Sequence, residues 1–529
     1  MKKFLALILV VLLFVPFVFS CNQPDTNTDT DTSSNTDVNA DTDTSSNTDT
    51  NTNTDVNTDT DAGSSTSAQA EIDKIKHTFV GQTINILAPG IWASATEPSS
   101  PWGQIELCVT EYGGTAKGFG QTLNDAVINR EIAVEEEYDV TLNWIDAKHS
   151  EEVVGELSKY AIFVDMGGTA IHIAMPRLCE SQHIVFSELV YNIADSKFID
   201  FEASYYSQDS IEQYTLAGKQ FFIGGDMSFL DEQTAPVIYV NMSIANSITD
   251  FPNLFEDVLP GEDEKITWTI DKLYELSALF AEDMDGNKNE WTELDKYGFG
   301  TNNLPSYYQH FGTYQVGKQQ SEDRESYVIT LNNDNVDTII SKILYNQNIK
   351  TSWSGIDTLE AAFNGNRLLF CHDTMQKLDE YKNLQELAII PFPMLNEEQG
   401  RYYAPVAMQS TVMCVTKATD NRDMSEAFIE ILTKSASEHI FAAYKQDMKS
   451  KISANYREKS MQVIEEQIFP NLMYDLGYTY YATGIATDSI QIKSYQGGTN
   501  VFSDIYDSAA KEANTTLNEW TGAYNGYVD

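Results

Sequence analysis

Cations are scarce in this 529-residue chain: 33 lysines and arginines face 79 aspartates and glutamates, for a formal charge of −46. Phosphate backbones are held by clustered cations, so nucleic acid is excluded as a partner. The acidity itself reads as solubility at an exposed surface. Cysteine is scarce too, with five in all. Cys108, Cys179, Cys371 and Cys414 form no C-x-x-C pair and have no histidine at metal-ligand spacing, so zinc is not indicated. "ELCVTEY", "LLFCHD" and "VMCVTK" set their cysteines in apolar strands, where free, buried thiols are expected. The seven histidines are scattered and no serine lies in a G-x-S-x-G elbow, which leaves no nucleophile constellation in view. No apolar run reaches the roughly 20 residues a membrane-spanning helix needs.

What is present begins with Lys2 and Lys3 ahead of the apolar run Phe4 to Phe19, the pattern of an export signal over residues 1–20. The run closes on Val18-Phe19-Ser20-Cys21, which resembles the bacterial lipobox and implies a palmitate-type acylation of Cys21. From Asn22 to Ala70 the chain is almost entirely Asn, Thr, Asp and Ser, with "DTDTSSNTD" twice, ten aspartates and no lysine or arginine. Such a stretch cannot form a core. Residues 21–75 therefore read as a lipid-anchored, disordered tether with a reach of roughly 40 Å. A folded domain so tethered stands off a membrane through a thick polar wall, which points to the extracellular face of a Gram-positive cell. A phosphorylated or glycosylated stalk is the other reading of this stretch.

Residues 76–529 are too many for one core and suit two lobes. "TINILAP" (83–89) reads as a strand, "LNDAVINREIAVEEEYDV" (123–140) as a helix with Leu123, Val127, Ile128 and Val134 at helical spacing, and "VTLNW" (140–144) as a strand again. The rhythm continues through "IHIAM" (171–175), "VIYVN" (237–241), the helix "TIDKLYELSALFAED" (269–283), strands "RLLFC" (367–371) and "STVMCVT" (410–416), and the helix "MSEAFIEILTK" (424–434). Such alternation predicts an α/β fold with largely parallel sheets and a ligand beyond the carboxyl ends of the strands.

In order along the chain, "LNDAVINREIAVEEEYDV", "GKQFFIGGDMS", "VIYVNMSIA", "TWTIDKLYELSALFAEDMDGNKNEWTELDKYGFG" and "MSEAFIEILTK" resemble the extracellular solute-binding lipoproteins of ABC importers, family 1 type, often associated with sugars. The resemblance implies a two-lobed periplasmic-binding-protein-like fold (type II) with hinge strands near Val237 to Asn241 and Met408 to Thr416. It implies lobe 1 at about 76–236 and 410–455 and lobe 2 at about 242–407 and 456–529, with the C-terminal helical portion on the second lobe. Its implied function is capture of a mono- or oligosaccharide by a monomer and delivery to a permease, with no cofactor required and no catalysis. A peptide-binding receptor and a surface glycoside hydrolase are the competing readings. The hydrolase would need two acids about 5 Å or about 6.5–9.5 Å apart.

Sugar recognition uses aromatic faces and carboxylate or amide oxygens. The candidates are Trp92 after the first strand, Tyr307, Tyr308 and Phe311 in "LPSYYQHFGTY", Trp353 in "TSWSG", Asp226 in "GGDMS", Asp373 in "FCHDT", and Gln409 near the return crossing. In "DMDGNKNEWTELDKYGFG" the oxygens of Asp283, Asp285 and Asn287 alternate as in a calcium loop. Lys288 replaces the turn glycine of such loops, and Asp295 falls at the thirteenth place where the twelfth is wanted. Calcium or a solvated turn are the two readings of this loop.

Overall fold

The first apolar run becomes a central strand, in which Ile84, Ile86 and Leu87 have no exposed surface. The structure, a computed structural model, describes residues 65–88, 121–147, 167–261, 265–286, 294–301, 307–348, 359–477 and 502–527, with 155, 157, 158, 161 and 292. All of them lie within one unit, Thr60–Asp529. In chain order the first elements are α1 (Ser65–Ile75), β1 (Thr83–Ala88), α2 (Gln121–Tyr138), β2 (Thr141–Asp146), β3 (Ile173–Ala174), α3 (Ser181–Phe186), α4 (Gln208–Tyr214), β4 (Thr215–Leu216) and β5 (Lys219–Gln220). Then come α5 (Leu230–Thr234), β6 (Pro236–Asn241), α6 (Ile270–Ala278), β7 (Tyr297–Thr301), α7 (Tyr307–His310), β8 (Val316–Gln320), β9 (Glu325–Ile329), α8 (Val336–Asn348), β10 (Leu368–Thr374) and β11 (Leu387–Pro391). The chain ends with β12 (Ala404–Pro405), β13 (Cys414–Val415), α9 (Arg422–Ala436), α10 (Ala442–Lys451), α11 (Arg457–Val463), β14 (Leu472–Met473) and α12 (Phe502–Gly526).

Two four-stranded sheets divide the fold. The first, ordered β13-β3-β1-β2, has β1 parallel to β2 and β3, and β13 antiparallel at its edge. α2 covers it with Leu123, Val127, Val134 and Tyr138, residues four, seven and four apart on one helical face. Ile128, expected on that face, points outward and is 43% exposed. α9 begins where the Asn421 side chain accepts the Met424 N–H, and its Phe428 packs edge-on to Phe79 at 5.2 Å between ring centroids. The second sheet, ordered β11-β6-β10-β7, is centred on Trp268, whose ring lies 5.9 Å from Phe370 and whose Nε1 donates to the Pro391 carbonyl at 3.0 Å.

Several sequence expectations change here. β6 runs antiparallel to both its neighbours, so this sheet is mixed; a strand entering from the other body and meeting strands that return to it must oppose them. "IHIAM" and "STVMCVT" yield only two paired strand residues each, with isolated bridges beside them. The folded part starts before residue 76, because Ser65–Ile75 is helical and buries Ala68 and Ile72. The C-terminal helix α12 does not rest on the second sheet but lies against β9, α3 and β4. Cys371 and Cys414 are free and buried, and Cys179 is free and half-buried. Cys21, the tether to residue 64, and Cys108 lie outside the described residues. Among the described residues no helix is long and apolar enough to cross a membrane.

Candidate functional site

β6 starts at Pro236, immediately after the chain has left the first body, and this places the site. Thr374 and Pro391, the carboxyl ends of β10 and β11, pair with Pro236 and Val237 at that same edge. In the first body Ile223 bridges Met413, and Arg177, just past β3, bridges Thr411. The carboxyl ends of strands from both sheets thus meet the segments that cross between them. The outward crossing, Gly224 to Ala235, includes α5; the return is Val406 to Met413; a third passage runs through β14 to Gly477. These segments are bonded to one another. The Ala407 N–H donates to Thr234 Oγ1 at 3.1 Å, Thr234 Oγ1 lies 3.4 Å from Ser410 Oγ, and the Tyr474 hydroxyl donates to Asp231. Gly224 is required, since a Cβ there would stand 2.8 Å from the Tyr474 hydroxyl oxygen.

The outward crossing carries three carboxyl groups. Asp226 is half-buried, and its acidity is shifted up to about 7 by burial first, offset by a hydrogen bond with Ser437, raised by the Asp231 charge and lowered by Lys445. Asp231 is buried and also raised, again through desolvation, with Tyr474 among the groups that oppose the shift. Glu232 is pushed well above the carboxylate range by burial and then by the Asp231 charge, so it is the group that holds a proton at neutral pH. Three atoms around this crossing have no hydrogen-bond partner among the described residues: Glu232 Oε2, Gln409 Oε1 on the return crossing, and Thr374 Oγ1 at the end of β10. Buried polar atoms are paired in the great majority of folded proteins, so such a group at one seam marks a place built to meet something else.

On the second body His372 at the end of β10 contacts Thr301 Oγ1 through Nδ1 at 2.8 Å and His310 Nε2 through Nε2 at 2.9 Å, beside the ring of Phe392. Both histidines are buried, and desolvation drives His372 down to about 3. One ring nitrogen of each pair must carry the hydrogen, so the cluster is a neutral relay that fixes tautomers.

Of the residues singled out by sequence, Asp226 and Gln409 reach the crossings. Asp373 lies beside them, but its carboxylate accepts from the Tyr381 hydroxyl at 2.9 Å and the Thr374 N–H at 2.8 Å, which orders the turn after β10. Tyr308 is fully buried in the second body and offers no face to a ligand, and Phe311 packs on Phe392 at 5.9 Å. Both side chains follow α7 inward because a short helix against α8 has only its inner face to bury. Tyr307 begins α7, and its side chain, like all of Trp92, Trp353 and Asn287, lies outside the described residues. Asp231, Glu232 and Tyr474 went unrecognised in the sequence. In "FLDEQT" the acids resemble ordinary first-turn residues of a helix, and their tyrosine partner is 243 positions away.

The aspartate loop is assembled: ligand oxygens of Asp283, Asp285 and Asp295 lie within 4.8 Å of one another. The loop also satisfies itself. Asp295 accepts the N–H groups of Met284 at 2.7 Å and Thr292 at 2.6 Å, Asp283 accepts that of Gly286 at 2.7 Å, and Asp285 accepts the Thr292 hydroxyl at 3.0 Å.

Two mixed α/β bodies joined by hydrogen-bonded crossings, with strand ends facing the joint, define a two-lobed hinged binding-protein fold. The chain is similar to the crystal structure of a sugar transporter from Rhizobium etli in an open conformation, at 13% identity, covering 84% of this chain and 100% of that one with a TM-score of 0.50. It also aligns with the galacto-N-biose-/lacto-N-biose I-binding protein of an ABC transporter from Bifidobacterium longum, solved with lacto-N-biose, at 10% identity over 84% of this chain and 98% of that one, TM-score 0.49. A third, the sugar-binding protein MalE from Xanthomonas citri, aligns at 10% identity with the same two coverages of 84% and 98% and a TM-score of 0.49. No family model and no curated protein matches the chain. At these identities the likeness shows the fold, which is the two-lobed fold of such solute-binding proteins.

Proposed function

We propose that this chain is a cell-surface lipoprotein that captures a mono- or oligosaccharide by hinge closure and delivers it to an ABC permease. The observation that carries the reading is the set of unpartnered buried oxygens at the crossings: Glu232 Oε2, Gln409 Oε1 and Thr374 Oγ1. Sugar hydroxyls donate to such oxygens, and a protonated Glu232 donates in return. Contacts made by both bodies are complete only in the closed form, so a ligand that makes them selects that form. Catalysis has no role in this cycle, and neither does a cofactor.

Thermal unfolding of the full chain against a panel of mono- and oligosaccharides and short peptides tests this. A cognate sugar at a hundred times its Kd adds about 2.7 kcal/mol of stability, and the gain should vanish in Glu232→Ala and Gln409→Ala. Stabilisation by peptides alone would assign the cleft to peptides instead, and release of shorter glycans would make it a hydrolase. The anchor is tested separately: wild-type cells should incorporate labelled palmitate into the chain, and Cys21→Ser cells should not.

The aspartate loop is the proposed cation site, with Asp283, Asp285 and Asp295 as its ligands and calcium as the ion of matching chemistry. Calcium must compete with the N–H groups already bonded to Asp295, so its affinity is expected in the weak extracellular range, about 0.1–1 mM. Calorimetry on chelator-treated protein reads this directly; absence of heat would leave a self-satisfied turn.

A further inference from the structure

The β8–β9 hairpin belongs covalently to the second body, leaving it after α7 and rejoining at α8, yet it is bonded to the first. Lys318 Nζ donates to the carbonyls of Glu212 at 2.5 Å and Thr215 at 3.1 Å, where α4 ends and where a cation is favoured. Glu325 accepts the Ala217 N–H at 2.7 Å, and the Tyr327 hydroxyl donates to the Gln213 carbonyl at 3.3 Å. On its other side α12 lies along β9, with the Tyr327 N–H donating to Thr521 Oγ1 at 3.0 Å. α12 is in turn fixed to the first body, since Lys219 Nζ donates to the Tyr524 carbonyl at 2.8 Å and the Tyr524 ring stands 5.0 Å from that of Phe221.

At its base two carboxylates tie the hairpin to the third crossing. Asp209 of α4 accepts the Tyr314 hydroxyl and, at 2.6 Å, the Tyr474 N–H. Asp475 accepts the N–H groups of Gln315 at 2.9 Å and Val316 at 3.4 Å. The base is closed within itself, as the Thr330 N–H donates to the Gln315 carbonyl at 3.0 Å. What joins it to the second body is short: Gly312, in the left-handed region at φ +74 with the Tyr403 ring 2.4 Å from any Cβ, and the turn in which the Asn335 N–H donates to Asn333.

We propose that the β8–β9 hairpin is a strap that travels with the first body, so that the lobes close about a joint at Asp209 and Asp475 and bend the chain at Gly312 and Asn333–Asn335. A rotation between packed bodies is absorbed where the fewest bonds resist it, and the strap resists at its first-body face. The proposal rests on the hinge-closure reading, though not on which solute is bound.

Hydrogen exchange of the full chain tests it without any ligand. Amides of β8 and β9 should share the protection of α4, and Lys318→Ala should speed exchange in both together by roughly threefold or more. Spin labels at Ile128→Cys and Leu279→Cys, exposed on opposite bodies, report the spread of interlobe distances; replacing 316–329 by a short Gly-Ser linker should broaden it about twofold. Hairpin amides that follow β7 and β10 instead, or a distance spread unchanged by the linker, would overturn the proposal. Should the linker variant fail to fold, Lys318→Ala decides through exchange. A strap that exchanges with α4 in a chain whose lobe distance no sugar or peptide moves would overturn the binding reading and leave the strap standing.

Discussion

Asp475→Ala is expected to cost about 3 kcal/mol of stability, read as a fall in the urea midpoint at unchanged slope. Asp475 is 2% exposed and accepts four donors: the N–H groups of Gln315, Val316 and Gly477 at 2.9, 3.4 and 2.8 Å, and Gln309 Nε2 at 3.4 Å. Each buried donor left without an acceptor costs about 1–3 kcal/mol. Two effects keep the total below a simple sum. Burial has lifted the acidity of Asp475 to about 6, so removing the carboxylate also relieves a desolvated charge, and Gly477 sits where water can replace one partner. Asp475→Asn should recover little, because its amide group turns two hydrogens toward the same donors. A loss below about 1 kcal/mol in the alanine variant would show that the joint is not held by this residue.

The protein is expected to be more stable at pH 5 than at pH 7.5, by about 3 kcal/mol. Asp226, Asp209 and Asp475 are all raised from 3.8, to about 7, 6 and 6, and in each case burial is the largest cause. A carboxyl whose folded acidity is raised contributes stability that is complete below its unfolded value and is lost as pH climbs through the folded one, here between about 4 and 7. His372 acts against this. Its value falls from 6.5 to about 3, so it contributes above 6.5 and that contribution fades as pH drops below. Three acids outweigh one imidazole, and a formal charge of −46 adds repulsion at the alkaline end. Urea titrations at the two pH values check the difference, and Asp226→Asn should remove a part of it. A chain more stable at pH 7.5 would contradict the assigned directions.

The fold was largely legible in the sequence. β1, β2 and β6 were evident because a strand buried on both faces must be nearly all apolar, and α9 because its cap and periodicity agree. "IHIAM" and "STVMCVT" were read too long, since apolar residues near a crossing can be buried by irregular chain as well as by a ladder. The site was less legible for a different reason. Aromatic residues announce themselves in a sequence, and Tyr308 drew notice although it is core. The carboxyls of Asp231 and Glu232 do not, because what distinguishes them is a depth of burial set by Tyr474 and by helices arriving two hundred residues later.

Two wide turns interrupt the helices that back the joint. Ser437–Phe441, between α9 and α10, and Ile464–Ile468, after α11, are π-helical. Such a turn is a regular helix holding one surplus residue, so it records a change of chain length that the fold absorbed. It also resets phase. Removing one residue from 437–441 would let the helix close up and swing everything after it by about 100°. Tyr444, now 4.8 Å from Phe229, would leave the crossing, and Ser437 would no longer face Asp226. The proton-holding carboxyl of the outward crossing therefore owes its polar neighbour to a helix that is one residue out of step.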